Sequence, residues 1–377
     1  MMKKKRLGSW MFIIISIIAL TGCLNNNNAT PTTKEDGATG GTLEVYDVTM
    51  ISTWAEGSTQ FDNDKRFVEW VGKISNGQLN VSLHQVGELA QYTEVLDTVG
   101  NGTVEMGGDA GLYWAGKNSA FDLLGGLPGM TGIDAMTWVY QGGGLELYNE
   151  IYGKYNLVYF PHTFSGAESG IRSNKPIKSL EDLSGLNVRF VGLTPTSIIK
   201  EFGANPVSIP IHEIYDALQK GVVDAAELSS PWSDDLANLQ EVTEYIYTPG
   251  WYQTTAVYGV SINKDHWESL PGHLQTAIEA AAKVTAAERS TESVWQDAIS
   301  TNNMVNDDGI IINRMTDEDA QRVIETSRKV HDQFAAENPD FKKVYESMTN
   351  YMETMEIYRD AYAPWVFGSN NTPQLQE

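Results

Sequence analysis

The chain has 377 residues, with 49 acidic against 26 basic side chains, a formal net charge of −23 and a single cysteine. So acidic a polymer repels phosphate backbones and anionic lipid headgroups, which excludes nucleic acid as a partner but not an anionic ligand held by a local arginine. Six scattered histidines show no H-E-x-x-H spacing, and neither a G-x-S-x-G elbow nor a G-x-x-x-x-G-K-[ST] loop is present, so the common hydrolase and nucleotide signatures are missing.

Lys3, Lys4, Lys5 and Arg6 precede the apolar run WMFIIISIIAL, which ends at Leu20-Thr21-Gly22-Cys23. A basic start, an apolar core of about a dozen residues and a small-residue junction describe a secretory signal, not a membrane-spanning helix. Leu-Thr-Gly-Cys resembles a bacterial lipobox. That implies cleavage before Cys23, lipidation of its sulfur, and an extracytoplasmic protein anchored to the cell membrane on its periplasmic side or at the cell surface; an ordinary signal with an incidental Cys23 is the plainer alternative. Loss of residues 1–22 removes four positive charges and moves the net charge to −27. Residues 23–41 are polar and poor in large apolar groups, the composition of a flexible tether.

Strand and helix patterns then alternate. LEVYDVTM (43–50) is a strand; TQFDNDKRFVEWVGKI (59–74) places Phe61, Phe67, Val68, Val71 and Ile74 at helical spacing and stops at Asn76-Gly77. QLNVSLHQV is a second strand, followed by helix, strand and helix through YTEVLDTVGNG, TVEMGGDAG and the region of Tyr113 and Trp114. The chain crosses to a second lobe after LVYFPHT (157–163) and returns near WYQTTAVYGVSIN (251–263). The expected fold is α/β and two-lobed, with mixed or parallel sheets, hinge strands and a long helical C-terminal region. Lobe I comprises 42–163 plus 256–310, lobe II comprises 164–255, and 311–377 forms helices packed on both. From Lys264 onward the whole pattern reads as helical, beginning with a long Ala-rich segment.

Within lobe II, residues 184–231 read as strand, helix, short strand, helix, strand. Parallel βαβ units put ligand sites at the carboxyl ends of their strands, and here those ends carry Arg189 and Glu227. A guanidinium is a planar fork matched to a carboxylate; an ordinary ion pair is the equally weighted alternative. Glu168, Glu227 and Gln253 come from three separate segments, SGAESG, DAAELSSP and PGWYQ, and converging oxygen donors suit a hard cation, although a lone glutamate is more often a solvated surface group. Tyr113 and Trp114, in GLYWAGK, serve as pocket wall or as an aromatic core pair. Trp54, Trp232, Trp251 and Tyr252 are further wall candidates, Trp251 reading more readily as core, and Arg172 is read as surface.

The blocks LEDLSGLNVRFVG and EIYDALQKGVVDAAE closely resemble the extracytoplasmic solute-binding subunits of TRAP (tripartite ATP-independent periplasmic) transporters, with matching pattern from about residue 43 to about residue 300. The nearest branch is the one that binds 2-oxo acids, lactate and related organic acids. The resemblance implies a non-enzymatic receptor that hands a small organic acid to membrane permease subunits. It also implies that Arg189, in the G-L-x-x-R-x-x-G block, grips the ligand carboxylate, and that Glu168, Glu227, the Leu228 carbonyl and Gln253 contact a metal. Glu168, Glu227 and Leu228 would then border the ligand with Tyr113 and Trp114. The chain departs from the family with Glu168 in place of the usual Gln and Leu228 in place of the usual Trp. A second carboxylate favours calcium over sodium. The acid's identity, calcium against sodium, and oligomeric state (a homodimer through the long helix among the options) stay open. The rivals are an ATP-driven importer's binding protein, which the EIYDALQKGVVDA block and the Ala-rich helix disfavour, and a surface-anchored glycosidase using Glu168 and Glu227, which their alignment with the family's metal positions disfavours.

Overall fold

A computed structural model describes residues 44–126 and 129–362. The signal, Cys23 and the tether lie outside the described residues. The first sheet starts with β1 (Tyr46–Ser52), α1 (Thr59–Ile74), β2 (Leu79–His84), α2 (Val95–Gly100) and β3 (Met106–Asp109), with β1 parallel to both of its neighbours. α1 begins where the Ser58 side chain accepts the Phe61 N–H, and it buries Phe67 and Val71 against the sheet. A 3-10 turn, Gly111–Trp114, leads to α3 (Ala120–Gly125), α4 (Gly132–Gln141), α5 (Gly144–Gly153) and β4 (Leu157–Phe164). The triple glycine 142–144 breaks the helix between α4 and α5, with Gly143 at φ 83°.

Past β4 the chain builds a second sheet from β5 (Ile171–Ser173), β6 (Asn187–Arg189), α6 (Leu193–Glu201), β7 (Asn205–Val207), α7 (Ile214–Gln219), β8 (Ala225–Ala226), α8 (Pro231–Leu236) and β9 (Tyr245–Thr248). It returns through β10 (Val257–Asn263), which lies antiparallel between β3 and β4. Then come α9 (Lys264–Ser269), α10 (Gly272–Asn306), β11 (Ile311–Arg314), α11 (Asp317–Glu337) and α12 (Pro339–Tyr362). The strand orders are β2-β1-β3-β10-β4 and β11-β9-β5-β8-β6-β7. The architecture is α/β with two mixed sheets and long C-terminal helices, as the alternating pattern predicts.

α10, about 50 Å long at the usual helical rise, buries Leu274, Ile278, Ala281 and Ala282 against the first sheet and contacts α8 of the second. α11 adds Val323 and Val330 to the core around Phe190, Ile199 and Tyr247, while α12 adds Phe341, Val344 and Met348 to the core around Phe121, Trp138 and Tyr152.

Three sequence expectations are corrected. The residues after 310 are not all helical: β11 pairs in parallel with β9 at the edge of the second sheet. The long C-terminal helix is interrupted, because Pro271 lacks an N–H and holds Leu270 extended, so α9 ends and α10 begins there. Arg172 is not a surface residue. It lies on β5, in the middle of its sheet, fully buried, with Nε 3.6 Å from Asp234 and both terminal nitrogens 3.2 Å from the Met304 sulfur.

Candidate functional site

Parallel pairing of β6 with β8 aligns Arg189 with Ala226 and sets Glu227 beside it at the same rim. Arg189 Nη1 donates to Glu227 Oε1 at 2.7 Å and to the Glu227 carbonyl at 2.9 Å, while Nε donates to the Ile209 carbonyl at 3.0 Å. The Val191 N–H donates to the same Oε1 at 3.0 Å. Both side chains are buried. Among the described residues nothing accepts from Nη2, so half of the guanidinium fork is fixed by the protein and the other half is free to meet a ligand.

Arg189 borders a cavity of about 600 Å³ between the two sheets, well within the range that holds small-molecule ligands. Trp54, Thr59, Tyr92 and Tyr113 line it from the first sheet, and Ile209, His212, Leu228 and Ser233 from the second. The Trp54 indole N–H donates to the Tyr113 hydroxyl at 3.1 Å, and the Tyr92 ring meets Tyr113 edge-on at 5.6 Å. Burial raises the Tyr113 pKa, so its hydroxyl stays protonated and can donate to a ligand oxygen.

Glu168 and the residues after Glu227 are stitched together by the backbone. The Ser169 N–H donates to the Ser229 carbonyl at 2.9 Å and the Gly250 N–H to the Glu168 carbonyl at 3.2 Å, so three loops share one edge. The Glu168 side chain is buried and has no hydrogen bond or ion pair among the described residues. Burial pushes it well above the usual carboxylate range; Glu227, Asp234 and Asp297 push the same way, and Arg189 opposes them. Burial also raises Glu227, against the pull of Arg189 and the Val191 N–H. Gln253 is half-buried, and its carboxamide fills the space beside Gly126, where a Cβ would stand 2.6 Å from the Gln253 Cδ.

Of the residues singled out in the sequence, Arg189, Tyr113 and Leu228 line the cavity, whereas Glu168, Glu227 and Gln253 do not. Trp114 is corrected as a ligand wall: it is buried beneath Tyr113 in the first core. Trp54 lines the cavity, but Trp232, Trp251 and Tyr252 do not; the last two belong to the second core. Sequence reasoning passed over Tyr92, Thr59, Ile209, His212 and Ser233. Of these only Tyr92, at the head of a helical pattern, carried any local signal.

A cleft cavity between two mixed sheets, with a buried arginine at a strand end, defines the class of solute-binding proteins. The chain belongs to the bacterial extracellular solute-binding proteins, family 7, the match covering residues 50–338. It is 33% identical over 233 residues to the monocarboxylate 2-oxoacid-binding periplasmic protein of a Nostoc species, covering 62% of this chain and 64% of that protein. The match thus spans somewhat less than two thirds of that relative's length. Two solved structures superpose with TM-scores of 0.79 and cover 84% of this chain. One is a TRAP transporter solute-binding protein from Bordetella bronchiseptica, 28% identical and covered to 95%, a dimer with copurified calcium and picolinate in one site. The other, from Pseudoalteromonas atlantica, is 26% identical and covered to 97%, with bound sodium and pyruvate. All three are named as solute-binding proteins.

Proposed function

We propose that this chain is the extracytoplasmic receptor of a TRAP transporter, capturing a small monocarboxylate of the 2-oxo or 2-hydroxy class together with a metal ion. The observation that carries this reading is the half-used Arg189 fork on the wall of the cavity, facing a set of aromatic side chains from the other sheet. An anionic carboxylate entering there gains a charge-assisted bond in surroundings where water is scarce.

The donor chemistry fits a resident cation. Among the described residues, Glu168 is a buried carboxylate without a side-chain partner, next to a second buried carboxylate whose one cationic partner is Arg189. Leaving such a group charged and unpaired is costly. Glu168, Glu227, Gln253 and the Leu228 carbonyl would hold the ion. When bound, it supplies positive charge against both carboxylates and the anionic solute. Two carboxylates balance a divalent ion better than sodium, so calcium is the proposed occupant.

Residues 42–163 with 256–310 and residues 164–255 act as two lobes that close on the solute, which shifts the equilibrium because it touches both sides only when closed. Cys23 carries the lipid anchor, permease subunits receive the solute, and α10 is the helix through which two copies would pair. Native mass spectrometry of the purified full chain with calcium and pyruvate tests this. Retention of one acid and one ion per chain is expected, whereas a mass unchanged at millimolar pyruvate overturns the reading. The same spectrum reports whether two copies associate.

A further inference from the structure

α6 begins without a cap of its own. Its N-cap position is Gly192, which has no side chain and sits at φ 94°, yet the first N–H groups of a helix need acceptors from outside it. Here the acceptor comes from the other sheet's helices. Asp122, in α3, receives the Leu193 N–H on Oδ1 at 2.8 Å, and on Oδ2 the N–H and hydroxyl of Thr194 at 2.8 and 2.6 Å. Asp122 is buried, and a Cβ on residue 192 would lie 2.8 Å from its Oδ1, so no side chain fits between them. An anion at this end also complements the helix dipole.

The contact lies next to the cavity. Gly192 and Leu193 line it and follow Arg189 by three and four residues, while α3 packs on the turn that carries Tyr113. One carboxylate thus ties the segment bearing Arg189 to the segment bearing Tyr113. Both ends are braced: α11 packs on α6 and α12 on α3, and Asn338 between the two helices donates to Asn118 Oδ1 and Ser119 Oγ at 2.7 and 2.9 Å. Elsewhere on the cavity wall Thr59 Oγ1 and Ser233 Oγ meet at 2.7 Å, but that is one bond between neutral groups. Asp122 accepts three.

We infer that Asp122 is a positioning residue for solute capture: it clasps the α6 N-terminus across the cleft and holds the wall after Arg189 in its closed place, so that solute leaves only when the clasp breaks. This rests on the reading of the cavity as the capture site.

Stopped-flow tryptophan fluorescence of the calcium-loaded full chain reads pyruvate release, and small-angle X-ray scattering reads compactness with and without pyruvate. Asp122→Ala is expected to speed release roughly tenfold or more, given the worth of hydrogen bonds to a charged group, and to expand the ligand-free particle. Thr194→Val removes the hydroxyl bond alone and is expected to speed release about two- to fivefold; it carries the test should Asp122→Ala not fold. A release rate unchanged in the folded variants, with only a lower melting temperature, overturns the clasp, because a merely structural cap moves stability and not release. If the wild type binds no pyruvate, the function proposed above fails separately. Scattering of the ligand-free proteins then decides: expansion on losing Asp122 supports the clasp, and equal dimensions overturn it.

Discussion

Arg189 and Glu227 form a buried ion pair, Nη1 to Oε1 at 2.7 Å, across two adjacent parallel strands. The pair fixes the guanidinium from one side, so an arriving carboxylate meets a donor that has already lost its rotamer freedom.

Arg189→Ala removes both the proposed ligand partner and the countercharge of Glu227. Calorimetry is expected to show pyruvate binding abolished, and denaturant titration a stability loss of about 3–5 kcal/mol from the stranded carboxylate. Arg189→Lys keeps the charge but not the fork, and is expected to recover part of the stability with little of the binding.

Glu168→Gln replaces a buried carboxylate without a partner by a neutral amide of the same shape. The metal-free variant is expected to melt higher than the wild type, since burial and its acidic neighbours disfavour the charge. Added calcium is expected to raise the melting temperature of the wild type more than that of the variant. Equal calcium shifts in both would remove Glu168 from the ion's ligands.

Burial raises Asp109 to about 7, a Tyr152 hydroxyl bond at 2.8 Å only partly offsetting it. A folded-state pKa above the unfolded value means the native chain binds more protons between about pH 4 and 7, so this group's contribution to stability is full at acid pH and is lost as pH rises toward 7. Asp234, raised to about 7, acts in the same direction, whereas His331, lowered to about 4 by burial, acts in the opposite one. Asp109→Asn isolates the first term. Its stability relative to wild type is expected to grow between pH 5 and 7.5 by about 2.5 kcal/mol, as read by urea titration at each pH.

α12 begins at Pro339, just past the family match that ends at residue 338. Phe341, fully buried against Phe334 and His331, is its main anchor. Phe341→Ala is expected to cost about 3–5 kcal/mol while leaving Arg189 and the proposed solute contacts in place. A chevron or equilibrium melt alongside calorimetry separates the two effects.

Local pattern and spacing carried much of this protein. The period-two strands and the helical runs ending in glycine are short-range features, legible because side-chain periodicity depends on neighbours a few residues away. So is the placement of Arg189 and Glu227 at strand ends, and the block that carries the family resemblance. What the fold alone decided spans long separations. Glu227 meets Arg189 across 38 residues and Asp122 caps Thr194 across 72, and no periodicity records such pairings. Whether Arg172 is buried or exposed depends on β5 sitting inside its sheet, and whether Trp114 faces ligand or core depends on the turn that Tyr113 occupies. Strand β11 is visible only once β9 offers it an open edge. Sequence sets which segments can form; the burial, partner and charge state of each side chain follow from which segments come to lie together.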